Sequence, residues 1–511
     1  MRVLLLNPPR RISPQRQEVI VNAPLAACLI TGYIAATLRA ARIPVEVLEA
    51  DLEGWDLDQT ASAIASTRGM GERLLLGVHL VYQWEETLDI LRMLEGLKAE
   101  GNLDHLSLYG FFPTFAWREL LGLFPFVDSI VRGEPELTFL ELVRRLSGGH
   151  EWRDARGLAW MDQGRLQLNP ARPLIDPLDP LPFPLRPPPS LLQGRNPDNY
   201  LLGSRGCYNH CSFCYLTPFY QGQRRWRGRT PQNIVSEIGQ VLEETGSSSF
   251  YFADANFFGP GEKGQERARE LARILRGEGL SIRFGLECRA NDVQEETLAQ
   301  LQEAGLTHLF VGIESGSDEV LGLIEKNTTA SINEEAVRTA QRLGLKLSTG
   351  FIMFEPDARL GHIRESFEFL KRLGLLRSPS ITAHLLHHPL VVLRGTKSFS
   401  RLLSQDRLAV DPLLQYEGRY RFVDPRVESL AQLMTRISCR ALQTNEDQDY
   451  DPQEGCYRIP HALEGERLRR LNDLLIDTFA RALEWLEAGG DGPAREGLVP
   501  LEEAFSREIV K

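Results

Sequence analysis

Three cysteines clustered in one short segment constrain this chain more than any other feature of its sequence. Cys207, Cys211 and Cys214 lie within eight residues, whereas the other four of the seven cysteines are scattered. Three close thiolates can bind three irons of a four-iron–four-sulfur cluster and leave the fourth iron open for chemistry. Two other interpretations stay open at this point. One is a zinc site completed by His210, which adjoins Cys211 and is poorly placed to close a tetrahedron, and the other is three buried thiols without a metal.

Composition indicates a globular protein of several domains. The 511 residues exceed one ordinary core, and 42% hydrophobic with 25% charged residues is a globular balance. The net charge of −11 argues against broad nucleic-acid binding, which depends on phosphate neutralisation. The longest apolar runs fall short of the ~18 residues that span a bilayer, and an odd number of cysteines argues against a secreted disulfide framework. We therefore expect a cytoplasmic protein with no membrane span and no nucleic-acid partner.

The first 150 residues alternate short apolar runs with helical patterns, which predicts strand–helix units around a parallel sheet. The predicted strands cover residues 3–6, 45–48, 74–78, 106–109 and 129–131, and helices are expected at 25–38 and 87–97. In such sheets, ligands bind at the carboxyl ends of the strands. The candidate loops begin at Asn7, His79, Gly110 and Gly133.

Three further regions are predicted after this domain of residues 1–150. Residues 151–195 form a proline-rich connector, because proline at this density cannot sustain a helix or a central strand. Residues 196–389 alternate again, with strands expected at 200–204, 249–253, 282–286, 309–313, 347–353 and 381–386. Leucines at three- and four-residue spacing predict a helical C-terminal domain over 390–511, with helices at 426–442 and 465–488, that covers the active site.

The C-x3-C-x2-C spacing, with Phe213 before the last cysteine, resembles the signature of the radical SAM superfamily. In that family the open iron of the cluster binds S-adenosylmethionine (SAM), and reductive cleavage of SAM gives a 5′-deoxyadenosyl radical. The six predicted strands after residue 196 are similar to the six-stranded partial TIM-type barrel of that fold, and residues 312–316 match its Gly-Ile-Glu-Ser-Gly segment. The resemblance implies an α/β chain with a Rossmann-like domain, this barrel and a mostly helical C-terminal region.

The same resemblance implies SAM-binding residues at the carboxyl ends of the barrel strands. Glu314 can accept hydrogen bonds from the ribose hydroxyls, Arg289 can pair with the methionine carboxylate, and Tyr215 can present its backbone to the adenine. The rest of the expected set is Asp254, Asn256 and Ser348. Many members hold the SAM amino group with Gly-Gly-Glu after the second strand, where this chain has Asp254 and Asn256 instead. Glu314 and Arg289 could alternatively form a structural ion pair inside the barrel.

The first 150 residues resemble the cobalamin-binding domain that precedes the barrel in cobalamin-dependent members. The similar pieces are Asn7-Pro8-Pro9, residues 23–25 with 34–39, and residues 131–138. The resemblance implies that cobalamin is held by Pro8, His79, Gly110, Phe111, Gly133 and Glu134. The Asp-x-His-x-x-Gly loop with which many other cobalamin domains ligate cobalt is absent after Leu6. A Rossmann-like domain that packs or recognises substrate without cobalamin is the alternative.

Two further groups of side chains are candidates for binding. The sequence around Trp226 predicts a basic patch of Arg224, Arg225, Arg227 and Arg229, with a solvated surface as the default interpretation and contact with an anion as the alternative. The end of the predicted sixth strand carries His384, His387 and His388, where a histidine could bind substrate.

These features predict a cobalamin-binding radical SAM enzyme. The expected reaction is methyl transfer to an unactivated carbon of a small molecule or a peptide, with electrons from an external donor such as flavodoxin or ferredoxin. A radical SAM enzyme that rearranges, cyclises or couples its substrate without methylation is the first alternative, and a non-catalytic iron–sulfur protein is the second. The sequence identifies no catalytic residue.

Overall fold

A computed structural model of the protein shows two largely parallel sheets followed by a helical region. It describes residues 1–9, 28–69, 71–80, 87–192, 198–222, 226–409, 418–443, 450–451, 456–457, 465–489 and 494–509. Within these ranges, no helix combines the length and the apolar character needed to cross a membrane. The predicted α/β architecture with a helical C-terminal region is confirmed.

The first unit is built on a seven-stranded sheet. Its elements are β1 (Arg2–Asn7), α1 (Leu29–Ala40), β2 (Val45–Glu49), α2 (Ala50–Glu53), α3 (Leu57–Thr67), β3 (Leu74–His79), α4 (Thr87–Ala99), β4 (His105–Tyr109), α5 (Phe111–Leu123), β5 (Ser129–Val131), α6 (Glu136–Ser147), β6 (Leu158–Asp162) and β7 (Arg165–Leu168). The strand order is β2-β1-β3-β4-β5-β6-β7, with β1 to β5 parallel and the last two antiparallel. Alternate residues of β1 lie in separate cores on the two faces, as in parallel sheets buried on both sides. The sheet continues to Leu168, past the predicted domain boundary at residue 150.

The proline-rich segment after β7 lies along both halves of the molecule. Leu185 N–H donates to Gly32 O in α1 at 3.1 Å. A Cβ on Gly32 would lie 2.4 Å from Leu185 O, so this close approach requires glycine. Asp179 accepts hydrogen bonds from the backbone and the hydroxyl of Thr230, which begins a helix of the second unit. The connector therefore fixes the first unit against the second.

The second unit is built on a five-stranded parallel sheet. Its elements are β8 (Asn199–Leu201), β9 (Ser204–Arg205), α7 (Leu216–Phe219), β10 (Arg227–Gly228), α8 (Pro231–Thr245), β11 (Ser249–Phe252), α9 (Gly261–Gly277), β12 (Arg283–Arg289), α10 (Glu295–Glu303), β13 (Leu306–Glu314), α11 (Asp318–Leu323), α12 (Ala330–Arg342), β14 (Lys346–Phe351), α13 (Leu360–Arg372) and α14 (Pro379–His387). The strand order is β14-β13-β12-β11-β8, and the five strands overlap the first five predicted ones.

The predicted sixth barrel strand, residues 381–386, is wrong. This segment lies inside the helix α14, which starts with Pro379 in its first turn after the extended residue Ser378. Proline is favoured there because its fixed φ suits a helix and its missing N–H is not needed. Among the described residues, an isolated parallel bridge between Phe354 and Pro389 is all that continues the sheet in that direction, and the barrel is open.

The C-terminal region is mostly helical, as predicted. Its elements are α15 (Lys397–Ser404), β15 (Leu408–Ala409), β16 (Arg419–Tyr420), α16 (Pro425–Gln443), β17 (Tyr450–Asp451), β18 (Cys456–Tyr457), α17 (Gly465–Glu487) and α18 (Ala494–Ile509). The rings of Phe367 in α13 and Phe479 in α17 lie 4.7 Å apart, and both belong to the core of the second unit. These helices therefore extend that core, and most of their stabilisation comes from its apolar contacts.

Candidate active site

The cysteine loop lies beyond the carboxyl end of β8, between β9 and α7. Asn209, which no motif singles out, shapes it. Its backbone N–H donates to Cys207 Sγ at 3.5 Å and its Nδ2 to Cys211 Sγ at 3.1 Å. The same Nδ2 reaches Lys326 O at 2.8 Å, and Asn327 Nδ2 donates to Asn209 Oδ1 at 2.7 Å. One amide therefore joins the cysteines to the loop that follows α11.

The three cysteines have the chemistry that an iron–sulfur cluster needs. They are partly buried, and burial raises the pKa of the Cys207 and Cys214 thiols. Such thiols become thiolates when they bind a metal cation. Among the described residues, no three Cys, His, Asp or Glu side chains converge as ligands of one metal ion. An iron–sulfur cluster needs a different arrangement of ligands, in which each of three irons binds one thiolate. His210, the zinc alternative, has its Nε2 at 3.2 Å from Glu325 Oε2.

Glu314 ends β13 in a left-handed backbone conformation, φ 59°, where the register with β14 shifts. Lys326 Nζ donates to its Oε1 at 2.6 Å, and both side chains are largely buried. Burial disfavours the charged amine, yet the carboxylate of Glu314 raises the pKa of Lys326 above its ordinary value. A Cβ on Gly312 would lie 2.8 Å from Glu314 Oε1, so glycine makes room for the pair. The ion-pair partner of Glu314 is thus Lys326 rather than Arg289.

Arg289 ends β12 and supports the same loop. Its Nη2 donates to Lys326 O at 2.7 Å and to Asn327 O at 3.3 Å, and its guanidinium carbon lies 4.9 Å from the centre of the Tyr208 ring. Its Nε is buried and has no hydrogen-bond partner among the described residues. Buried donors are nearly always paired, so this N–H marks a place for a ligand atom.

Asp254 and Asn256 follow β11 but face different neighbours. The Asp254 carboxylate accepts hydrogen bonds from Gly203 N–H at 2.9 Å and from the Ser204 hydroxyl, and burial raises its pKa to about 6. Asn256 Nδ2 donates to Asp292 Oδ2 at 2.9 Å, while its Oδ1 is buried without a partner in the described part of the chain. Asp254 therefore shapes the turn before the cysteine loop, and Asn256 retains an acceptor.

Ser348 and Tyr215, the remaining predicted SAM residues, lie apart. Ser348 is buried on β14, with its Oγ 3.0 Å from His308 Nε2. Tyr215 precedes α7 and packs edge-on against Phe111 of the first unit, with ring centroids 4.6 Å apart. Phe111 also contacts Phe219 at 4.5 Å. This aromatic contact joins the cysteine loop to the carboxyl edge of the first sheet.

At the carboxyl edge of the first sheet, polar side chains bond to one another. The Thr31 hydroxyl donates to Asn7 Oδ1 at 2.7 Å and lies 2.8 Å from Tyr109 Oη, and Asn7 Nδ2 donates to Glu49 at 2.7 Å. His79 stacks on Tyr109 at 5.4 Å, and its Nδ1 is 3.1 Å from Cys28 Sγ. Pro8, next to Asn7, shares this edge.

Two glycines shape the loops at this edge. Gly110 has φ 113°, and a Cβ there would lie 2.5 Å from Leu80 O and 2.9 Å from the His79 ring. Gly133 has φ 74°, and its N–H donates to Thr114 Oγ1 at 3.1 Å. The loops of Pro8, His79, Gly110 and Phe111 therefore lie at the strand ends, the edge at which parallel sheets bind ligands.

Glu134 does not fit a cofactor contact, because two arginines of the second unit occupy it. Arg205 Nη1 lies 3.1 Å from Glu134 Oε1, and Arg227 donates to both oxygens at 2.9 and 3.0 Å. Arg205 also pairs with Glu136 at 2.6 Å. Although burial disfavours the charged form, Arg205 and Arg227 hold the pKa of Glu134 below its ordinary value. These four residues form a buried interdomain ion cluster.

The solvated basic patch predicted around Trp226 is therefore wrong for its described members. Arg227 belongs to the interdomain ion cluster, and Arg229 is buried against Glu237 of α8. Each of these two buried guanidiniums is paired with a carboxylate, Arg227 with the distant Glu134 and Arg229 with Glu237 in the helix that follows it. Arg224 and Arg225 lie outside the described residues.

The three histidines at the end of α14 are buried together. The rings of His384 and His388 stack at 5.3 Å, and His387 Nδ1 lies 2.7 Å from Ala383 O. Burial lowers the pKa of all three, that of His384 to about 3, so they are neutral at physiological pH. His384 and Ser348 line one small cavity of about 20 Å³ beside β14.

Comparisons with known proteins match the part of the chain that carries the cysteine loop. Residues 201–370 match the family model of the radical SAM superfamily. An uncharacterized methyltransferase of Pyrococcus horikoshii is 32% identical over 268 residues, which cover 52% of this chain and 56% of the relative. An anaerobic magnesium-protoporphyrin IX monomethyl ester cyclase of Cereibacter sphaeroides is 29% identical over 294 residues, covering 53% of this chain and 44% of the relative. The chain thus spans about half the length of these curated relatives.

The fold also has a solved counterpart. The cobalamin-dependent S-adenosylmethionine radical enzyme OxsB, with aqua-cobalamin bound, aligns over 99% of this chain and 76% of its own with a TM-score of 0.73. Its sequence identity is 19%, so the likeness concerns the fold. Both sheets and the helical region of this chain take part in the alignment.

Proposed function

Because the chain belongs to the radical SAM superfamily and has the fold of its cobalamin-dependent members, we propose that it methylates an unactivated carbon of a small molecule or a peptide. When bound, the cluster supplies the electron that cleaves SAM, and cobalamin supplies the methyl group. The observation that carries the proposal is the convergence of the cysteine loop, Arg289 and the Glu314–Lys326 pair at one sheet edge, joined through Asn209. The radical SAM family and the three cofactors predicted from the sequence have the support of the comparisons.

In this proposal, Cys207, Cys211 and Cys214 each bind one iron, and Asn209 donates hydrogen bonds to two of the sulfurs. Donors to cluster sulfurs raise the reduction potential, because they stabilise the negative charge that reduction adds. The role of Asn209 is thus to position the loop and to tune electron transfer from the external donor.

Three polar side chains are proposed to orient SAM. Glu314 accepts the ribose hydroxyls with the lone pairs that Lys326 leaves available. Arg289 offers its buried Nε to the methionine carboxylate, and Asn256 offers its Oδ1 to the amino group. Both atoms lack protein partners among the described residues, so a ligand that pairs with them removes a desolvation cost. Tyr215 remains a proposed SAM contact through its backbone. Ser348 remains one through the cavity beside β14.

Cobalamin is proposed to lie on the loops of Pro8, His79, Gly110, Phe111 and Gly133. Glu134 is left out of this set, because it is bound by two arginines. The Phe111–Tyr215 contact joins this edge to the cysteine loop, and the C-terminal helices extend the core around the second sheet. In this proposal, residues 1–168 bind cobalamin and the second unit binds SAM and the cluster. The C-terminal helices enclose the substrate and exclude water.

The test uses anaerobically reconstituted full-length protein, loaded with cobalamin and reduced in the presence of SAM. We expect both 5′-deoxyadenosine and S-adenosylhomocysteine, because SAM would serve as radical source and as methyl source. Deoxyadenosine without the second product would contradict methyl transfer and favour a cyclisation or coupling, of the kind that the name of the cyclase relative indicates. If SAM stays intact in the presence of an intact, reducible cluster, this would contradict the proposal that the protein is a radical SAM enzyme.

A further inference from the structure

One acidic side chain of the second unit has no role in the proposed cofactor sites. Glu287 lies on β12 between Leu286 and Cys288, which are both buried in the core beneath the helices. Successive side chains of a strand point to opposite faces. Glu287 therefore points to the concave face of the sheet, the interior of the open barrel. It keeps part of its surface accessible there.

The Glu287 carboxylate has less compensation than the other buried glutamates. Its Oε1 accepts one hydrogen bond, from Tyr251 Oη at 3.1 Å. No cation and no second donor contacts it among the described residues. By contrast, Glu237 meets two arginines, Glu314 meets Lys326 and Glu355 meets Arg401. Burial accordingly raises the pKa of Glu287 to about 7. A carboxylate in such a place gains most from a cation that the protein itself does not supply.

Tyr251, the residue that donates to this carboxylate, belongs to a group of aromatic rings. The ring of Tyr251 lies 6.2 Å from that of Tyr200 and 5.8 Å from that of His308. A Cβ on Gly285 would lie 2.7 Å from the Tyr251 ring, so glycine lets this ring cross the strand towards Glu287. Aromatic faces beside a carboxylate attract a protonated nitrogen, through the ring quadrupole and through charge. They disfavour a phosphate or a carboxylate.

Resting on the proposed function, which places the substrate in this interior, we infer that Glu287 binds a protonated nitrogen of the substrate, an amine or a guanidinium. The site gives the substrate a charged anchor two residues before Arg289, which faces the same side of β12. SAM also carries an ammonium group, so the protonated nitrogen at Glu287 could belong to the substrate or to SAM. The experiment must separate them.

The test measures binding to the holoenzyme with two probes of similar shape, 4-phenylbutylamine and the neutral 4-phenylbutan-1-ol. We expect anaerobic calorimetry to show about a tenfold preference for the amine, which corresponds to about 1.4 kcal/mol. In Glu287→Gln the preference should disappear, because the amide has the same shape without the charge. Glu278→Gln, an exposed change at the end of α9, should retain it. Glu287→Asp, which keeps the charge, should retain part of it.

Equal affinities for the two probes in the wild-type holoenzyme would overturn the inference, as would a preference that survives in Glu287→Gln. Repeating the titration at saturating SAM separates the two sources of the nitrogen. Undiminished amine binding supports the substrate, whereas loss of amine binding together with weaker SAM binding in Glu287→Gln would assign the site to SAM and overturn the inference. Deoxyadenosine formation by the wild-type preparation tests the proposed function independently. Its failure would leave the charge preference of Glu287 measurable.

Discussion

The two parallel sheets differ in whether the polar side chains at their carboxyl ends have partners within the protein. In the first sheet, Asn7, Thr31 and Tyr109 bond to one another and Glu134 is bound by arginines. In the second sheet, Arg289 Nε and Asn256 Oδ1 are buried without partners among the described residues. Among the described residues, the groups named here are paired within the protein at the first edge, although Glu136 Oε2 is not, whereas those of the second edge lack a partner.

This difference corresponds to two ways of holding a cofactor. A closed polar edge offers shape and a rigid floor, which suits a large planar group bound over a wide area. An edge with unpaired donors and acceptors favours a small ligand that brings the matching atoms, because each pairing removes the cost of a buried unsatisfied group. The contrast supports cobalamin at the first edge and SAM at the second.

The largest effect is expected at the second edge, on removing a cluster ligand. Cys211→Ala should abolish cluster assembly and reduce SAM cleavage to background, because two thiolates cannot retain the four-iron cluster in its site. Iron and sulfide analysis with electron paramagnetic resonance of the reduced protein measures this. Cys439→Ala, a cysteine of α16, is the matched control and should retain the cluster. A Cys211→Ala protein with full iron content and activity would refute the ligand assignment.

The next effect concerns the first edge. Glu134→Gln leaves Arg205 and Arg227 without their shared carboxylate, and breaking a buried ion pair costs about 3–5 kcal/mol. We expect the free energy of unfolding to fall by that amount in denaturant titrations, with cobalamin affinity little changed in the folded protein. Glu151→Gln, which removes an exposed partner of Arg153, should leave stability unchanged. Normal stability with lost cobalamin binding would instead restore Glu134 as a cofactor contact.

A smaller effect is expected for the proposed ribose contact. Glu314→Gln replaces charge-assisted hydrogen bonds by neutral ones, so the Kd for SAM should rise about tenfold. Equilibrium dialysis with labelled SAM on the cluster-loaded protein measures it. Glu335→Gln on the exposed face of α12 serves as control. Unchanged affinity in the Glu314 variant would mean that this carboxylate serves only Lys326.

The smallest effect is a pH dependence of stability. The pKa of Glu287 is raised from 4.5 to about 7 in the folded protein, so the folded state holds its proton more tightly than the unfolded state. The contribution of Glu287 to the free energy of unfolding is fully present below pH ~4.5. It is lost as the pH rises through about 7. In Glu287→Gln, the free energy of unfolding should fall less steeply across this window, by a fraction of the ~3 kcal/mol that the full shift would give, because Glu287 keeps part of its surface accessible to solvent. Parallel pH profiles for both proteins would contradict the raised pKa.

Much of the fold follows from local pattern, and its failures have physical causes. The five strands of the second sheet were predictable because apolar runs are bounded by loops and helices. The sixth strand could not be predicted, because a short apolar run is typical of a buried strand and of a buried helix alike. Pro379 in the first turn favours the helix. Arg227 looked solvated because its carboxylate partner, Glu134, is far away in sequence, and Arg229 because spacing alone does not show that its guanidinium packs against Glu237 of the next helix.

The candidate site divides in the same way. The cysteines are evident from their spacing, and the expectation that Glu314 and Arg289 would lie near them rests on resemblance. Asn209 carries no such signal, because its role depends on Lys326 and Asn327 arriving from more than a hundred residues away. Lys326 as the partner of Glu314 depends equally on the loop after α11 folding back.

The interdomain ion cluster of Glu134, Glu136, Arg205 and Arg227 also limits how such chains can recombine. An exchange of the first unit between relatives would separate the carboxylates from the arginines and leave buried charges on both sides of the junction. A viable chimera must carry all four residues or replace them together by apolar ones. The two units must therefore be engineered as a matched pair at these four positions.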